Sequence, residues 1–241
     1  MDLLSPRQRF SRLLNREEVD RPAWAVWRHL PHHDYTPEFA AAHIRDLRRS
    51  DGDLWKITIR PSFPVRDYGI EDAFDGDPLG RPCWLNTVIH EARDWRRLEP
   101  LNPAAGILGQ TGQDIRRIAS AAPADRPVLV TLFSPFTQAA RLAGWPRLLQ
   151  HWKDDLPAVM HGLEVLAEST RRFIRSLATA PLDGVFYGVQ ECGIPEIMGE
   201  HARFSGLDRS ILETTPYPLN LLHLHGHVLA FDAYCLSLIH I

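Results

Sequence analysis

Short, nearly uninterrupted apolar runs recur along the chain, separated by stretches in which apolar residues return at helical spacing. Phe10, Leu13 and Leu14 share one stripe behind Ser5-Pro6, where serine caps and proline takes the first helical position, so a helix is predicted over residues 5–15. Asp20-Arg21-Pro22 ends it, and the apolar run 23–27 is short enough for a buried parallel strand. Behind Thr36-Pro37-Glu38 a second stripe runs through Phe39, Ala42, His43 and Leu47 to a stop at Ser50-Asp51-Gly52, and strand two is predicted over 54–59. Residues 61–100 are rich in glycine and proline around an alternating stretch, 84–89, and read as an excursion carrying a hairpin strand. Strands three, four and five are predicted over 127–133, 182–189 and 219–224. Helices over 136–142 and 146–177 follow the third, and a segment with Ile197, Phe204 and Leu207 can supply one after the fourth.

Buried strands alternating with helices predict an α/β fold with a parallel sheet, either doubly wound or closed into a barrel. No Gly-x-Gly-x-x-Gly follows a strand and no Walker-type Gly-Lys-Ser/Thr occurs, which removes the main support for a nucleotide-binding doubly wound sheet and favours the barrel. With 241 residues, 44% hydrophobic and 24% charged, one domain is expected. No long uncharged apolar stretch occurs, and Asp2, Arg7 and Arg9 stand where a signal peptide needs apolar residues, so a cytoplasmic protein with no membrane attachment is expected. The net charge of -3 offers no footprint for nucleic acid and points to a small-molecule substrate. Cys83, Cys192 and Cys235 are odd in number and show no paired spacing, which argues against a disulfide framework or a cysteine-only metal site.

In a barrel, chemistry gathers where the strands end at their carboxyl side. The last predicted strand ends in His223-Leu224-His225-Gly226-His227. Residues two apart on a strand share a face, so His223 and His225 can hold one zinc ion, or simply hydrogen-bond in the barrel mouth; no third ligand is identifiable. Arg28 and His29, after strand one, suit a carboxylate or phosphate, with an ordinary surface loop as the other reading. Lys56, inside strand two, needs a partner if it faces the interior, and Glu191 is the candidate; otherwise it faces outward between helices. Arg60 lies just past the same strand. Gln190 and Glu191 can bind substrate or serve as acid and base, or Glu191 can be a routine first-turn residue of the next helix.

Taken together, Arg9-Phe10, Val19-Asp20-Arg21-Pro22, Trp27-Arg28-His29-Leu30-Pro31, Ser134-Pro135-Phe136-Thr137 and the segment 184–191 resemble the uroporphyrinogen decarboxylase superfamily, which includes corrinoid-linked methyltransferases that act on coenzyme M. The resemblance spans almost the whole chain and implies a (β/α)8 TIM barrel. As a decarboxylase-like lyase of porphyrin metabolism, the protein is expected to need no cofactor and to hold the carboxylates of a tetrapyrrole with Arg28, Arg60 and Arg141. Departures accompany the likeness. Lys56-Ile57-Thr58-Ile59-Arg60 carries no aspartate where the decarboxylases bind the pyrrole nitrogens, Arg141 stands in place of their tyrosine, and Gln190 in place of their serine. The methyltransferase branch implies a His-x-Cys zinc site and a corrinoid partner, and His223-Leu224-His225 is similar to that site with histidine in place of cysteine. A barrel that binds small molecules without catalysis is the third alternative.

The closing residues 236–241 fit no cap or turn, and they translate the start of a transposon adapter end, CTG TCT CTT ATA CAC ATC. The sequence is therefore expected to carry an incomplete barrel over residues 1–235, with about five of eight βα units, and an artefact over 236–241. The isolated fragment is expected to aggregate through its open sheet edges, with a homodimer left open for a full-length form.

Overall fold

The computed structural model describes residues 3–190 and 200–225, together with 194 and 197. Helix α1 spans Pro6–Leu14, with Ser5 accepting from the Gln8 amide in a capping box, as the Ser-Pro start predicts. Helix α2 (Phe39–Leu47) is followed by strand β1 (Trp55–Ile57). The excursion that comes next holds two short 3-10 helices, Arg66–Tyr68 and Ala92–Arg97, and a minimal antiparallel pair, β2 (Asp72–Ala73) with β3 (Cys83–Trp84). The hairpin strand expected over 84–89 thus contributes only Trp84. Helix α3 (Gly106–Ser120) leads into β4 (Val128–Phe133), α4 (Pro135–Ala143), α5 (Trp145–Asp154) and α6 (Leu156–Ser176). Strand β5 (Gly184–Val189), helix α7 (His201–Glu213) and strand β6 (Leu221–Leu224) complete the described elements. The single helix expected over 146–177 is two, because Asp155 leaves helical geometry and caps α6 through the Ala158 amide.

Strands β1, β4, β5 and β6 form one parallel sheet in that order, each beside the next larger strand in sequence. The register divides its side chains into two faces. Trp55, Ile57, Val128, Val130, Leu132, Val185, Tyr187 and Val189 face the helices and pack against Ile115, Ile118, Phe173, Ile174 and Ile211 in a continuous core. Within it, the Tyr187 hydroxyl donates to the buried Asp208 carboxylate at 2.6 Å. The opposite face presents Leu54, Lys56, Leu129, Thr131, Phe186, Leu221 and His223, and Phe10 of α1 closes its lower end.

One predicted strand is not formed. Residues 23–27 are extended but join no ladder: a backbone bond from the Asp53 amide to the Trp24 carbonyl and one from the Trp24 amide to the Asp53 carboxylate pin them at a single point. Ala23 and Ala25 pack against the Phe10–Leu54 cluster, while Trp24, Val26 and Trp27 are 44%, 57% and 44% exposed. Anchoring by Asp53 replaces strand pairing, so the parallel sheet among the described residues has four strands, not five. Asp53 belongs to a buried ion network that also explains the Arg9 and Asp20-Arg21 motifs. Arg9 donates to Asp20 at 2.8 Å and to Asp53, and Arg21 donates to Asp53 at 2.6 and 2.8 Å. These residues clasp α1, the turn after it and the approach to β1, and their role is structural.

No helix among the described residues is long and apolar enough to cross a membrane. Residues 226–241, which include His227, Cys235 and the proposed adapter translation, lie outside the described residues, as do Glu191 and Cys192.

Candidate functional site

The sheet face turned away from the helices, together with its carboxyl end, brings several of the sequence-predicted residues together in two groups. The first surrounds Lys56. Its ammonium lies 4.7 Å from the centre of the Trp27 ring and 4.3 Å from that of Phe186, with the Thr58 hydroxyl accepting at 3.3 Å. Lys56, Trp27, Phe186 and His223 line a cavity of about 240 Å³ whose remaining wall is apolar, from Phe10, Leu54 and Leu221. Burial in this setting lowers the Lys56 pKa to about 7, because an ammonium loses its hydration and no described carboxylate restores it. His223 stands across the cavity, its ring 5.2 Å from Phe186 and 5.8 Å from His225. Desolvation, and then the charges of His225 and Lys56, depress the His223 pKa, so its imidazole is neutral at pH 7. His29 is half-buried against Gly80, and desolvation followed by the Lys56 charge lowers its pKa too.

The second group sits at the junction of β4, α4 and β5. Ser134 caps α4 through the Thr137 amide with Pro135 in the first turn, and the Thr137 hydroxyl in turn accepts from the Gln190 amide at 3.0 Å. This cap joins two strand ends, and it is the physical content of the Ser134-Pro135-Phe136-Thr137 motif. Arg141, one turn further along α4, lies with its guanidinium 3.9 Å from the centre of the Phe133 ring. It donates to the Pro61 carbonyl at 2.6 Å and to Gln190 Oε1 at 3.3 Å. Arg141 and Gln190 border a recess of about 210 Å³ whose other walls include Trp84, Thr87 and Trp145. Trp84 and Trp145 were not singled out by sequence; the exposure of Trp84, 38%, shows only once the excursion folds back.

Two arginines expected at substrate are engaged by aspartates instead. Arg28 points outward onto Asp46 of α2, away from the Lys56 cavity, and its side chain is 64% exposed. Arg60 is buried against Asp72, which also takes Arg66, and both guanidinium groups stack on Tyr35. The proposed Lys56–Glu191 pair lies outside the described residues. Beside Arg60, burial raises the Asp34 carboxyl to about 7, a residue that carried no sequence signal because its neighbours Arg60, Thr111 and Asp114 come from distant segments.

No family model matches the chain, and no curated protein matches it. Among solved structures, a methyltransferase from Methanosarcina mazei is similar, with a TM-score of 0.71 over 93% of this chain and 71% of that chain, at 14% sequence identity. The chain therefore has an α/β fold, a parallel sheet with helices, that it shares with that methyltransferase.

Proposed function

We propose that the protein is a methyltransferase built on a (β/α)8 barrel, acting on a small molecule at the carboxyl ends of its strands. The observation that carries this reading is the juxtaposition of His223, on β6, and His225, just past its end, with ring centres 5.8 Å apart, in a sheet similar in course to that of a methyltransferase. The barrel is supported by the strand order. A sheet that adds strands in sequence order, with right-handed crossovers, puts every helix on the same side, and closure is what then covers the other face.

In this reading the recess beside Arg141 and Gln190 orients the acceptor, with Trp84 and Trp145 excluding water. As the acceptor's bond to the methyl carbon forms and the bond from that carbon to the donor breaks, the proton the acceptor loses passes to solvent; His223 lines the neighbouring Lys56 cavity. The family resemblance implies a corrinoid partner as methyl donor, and zinc at the two histidines. Zinc requires three or four donors, and no cluster of three His, Cys, Asp or Glu occurs among the described residues, so no step is assigned to it. The lyase reading is weaker on the structure. Of the three arginines it needs for tetrapyrrole carboxylates, Arg28 and Arg60 are engaged by Asp46 and Asp72.

The test is consumption of methylcobalamin by the purified protein with a panel of small thiols, followed by absorbance. Methyl transfer that falls at least tenfold in His223→Ala supports the proposal. Release of carbon dioxide from uroporphyrinogen without methyl transfer overturns it in favour of the lyase. Methylcobalamin binding with no turnover overturns it in favour of a binding protein.

A further inference from the structure

The chain carries 27 lysines and arginines, and only Lys56 and Lys153 among them are lysines. Lys153 is exposed on α5, where a long cation is at home in water. Lys56 is 4% exposed, on the sheet face that lines the 240 Å³ cavity, and no described carboxylate forms an ion pair with it. A buried cation held for charge alone is normally paired, and arginine is the residue this chain uses elsewhere for ion pairs. Lysine differs from arginine in one respect that burial amplifies: its nitrogen can give up a proton and become a nucleophile.

We propose that Lys56 is a nucleophilic amine that captures a small uncharged aldehyde or ketone as an imine in this cavity. Three features of the site serve that chemistry. The Trp27 and Phe186 rings wall the nitrogen from bulk water on two sides; this desolvation favours the neutral amine by more than the ring faces favour the ammonium, and it slows hydrolysis of the product. The cavity has room for a molecule of several heavy atoms, and its apolar lining selects an uncharged one. The Thr58 hydroxyl, 3.3 Å from the nitrogen, is placed to carry protons. The Lys56 lone pair adds to the carbonyl carbon, the carbonyl π electrons move to oxygen, and a proton passes from nitrogen to that oxygen. The hydroxyl of the resulting carbinolamine is protonated and leaves as water while the nitrogen lone pair forms the C=N bond, and the iminium then gives back a proton to leave the imine. No oxidant or reductant enters the step. The proposal concerns carbonyl capture and does not depend on methyl transfer.

Lys153 supplies an internal reference. The purified protein is treated at pH 7 with butyraldehyde and cyanoborohydride, which reduces an imine to a stable secondary amine, and the adducts are quantified by peptide mass spectrometry. Lys56 is expected to be alkylated at least tenfold faster than Lys153, and Lys56→Arg to lose the fast adduct while Lys153 is labelled as before. Equal or faster labelling of Lys153 in the unmodified protein overturns the proposal, since burial would then shield Lys56 and not activate it. Because the decisive comparison is made within one molecule, it does not rest on a variant that has to fold.

Discussion

Replacing Lys56 by methionine should stabilise the protein, and by an amount that shrinks as pH rises. The side chain stays linear and fills the same space between Trp27 and Phe186, so what changes is the charge. Lowering the pKa from 10.5 to about 7 by desolvation corresponds to a penalty of about 5 kcal/mol on the native ammonium. The two ring faces offset roughly 1 to 2 kcal/mol of it, because they favour the charged form. At pH 7 the unfolded lysine is protonated at no cost, while the native one bears what remains of the desolvation penalty, so the native state is disfavoured by roughly 3 kcal/mol relative to the methionine variant. The unfolded chain holds the extra proton, so the stability of the lysine protein climbs with pH until the unfolded lysine also deprotonates, and the gap narrows to about 1.5 kcal/mol at pH 9.5. His29 and His223, whose pKa values are lowered from the usual histidine range, are neutral throughout this window and do not contribute. Urea unfolding at pH 7 and pH 9.5, followed by far-UV circular dichroism, measures both quantities. A variant less stable than the parent at pH 7, or a difference that is the same at both pH values, would refute the reasoning.

Other perturbations test the rest of the structure. Asp53→Ala strands charge in the Arg9–Asp20–Asp53–Arg21 network and should cost about 3 kcal/mol in urea midpoint analysis; a loss below about 0.5 kcal/mol would mean the network is solvated. The Asp53 carboxyl is held below its usual range by its Arg21, Trp24 and Arg9 partners against the cost of burial, so it adds stability above its unfolded pKa that is lost as pH falls through the lower native value. Asp53→Asn should flatten the acid limb of the stability curve below about pH 4, and an unchanged limb would show that other carboxylates carry it. Gly106→Ala should destabilise by about 1 to 3 kcal/mol, because the residue has φ +59° and a Cβ there would lie 2.4 Å from the Asp67 carboxylate; a neutral effect would mean that Asp67 swings aside at no cost. Arg141→Lys keeps the charge but loses the planar fork, and should raise KM for the acceptor about tenfold with little change in kcat. A fall in kcat alone would remove Arg141 from acceptor binding.

What was legible in the sequence follows from where each stabilising group lies. Helices α1 and α4 carry their own caps, Ser5 and Ser134, each followed by proline, and both were readable. Helix α3 was not, because its first amides are capped from far away: Asp67 accepts from Ile107 and Leu108 at 2.9 Å each, across about forty residues. The break at Asp155 had a local signal in Asp-Leu-Pro, masked by apolar periodicity that continues through it. Residues 23–27 have the apolarity of a strand, but pairing depends on a neighbour, and Asp53 anchors them instead. At the site, Lys56, His223 and Gln190 could be nominated from the strands and their ends and Arg141 from the family resemblance, but not the contact between Arg141 and Gln190. That Arg28 and Arg60 are taken up by Asp46 and Asp72, and that Lys56 lies between Trp27 and Phe186, depends on contacts that only the folded chain makes.

The Asp67 cap also sets an order of events during synthesis. Translation at 5 to 20 residues per second delivers Asp67 roughly 2 to 8 s before the amides it receives, far longer than the microseconds in which a helix forms once it is free to do so. The carboxylate is thus already waiting outside the ribosome when α3 emerges, and the helix with no cap of its own acquires one as it arrives. Moving residues 55–73 to the end of a circularly permuted chain would reverse that sequence, leaving α3 uncapped until the last segment is made.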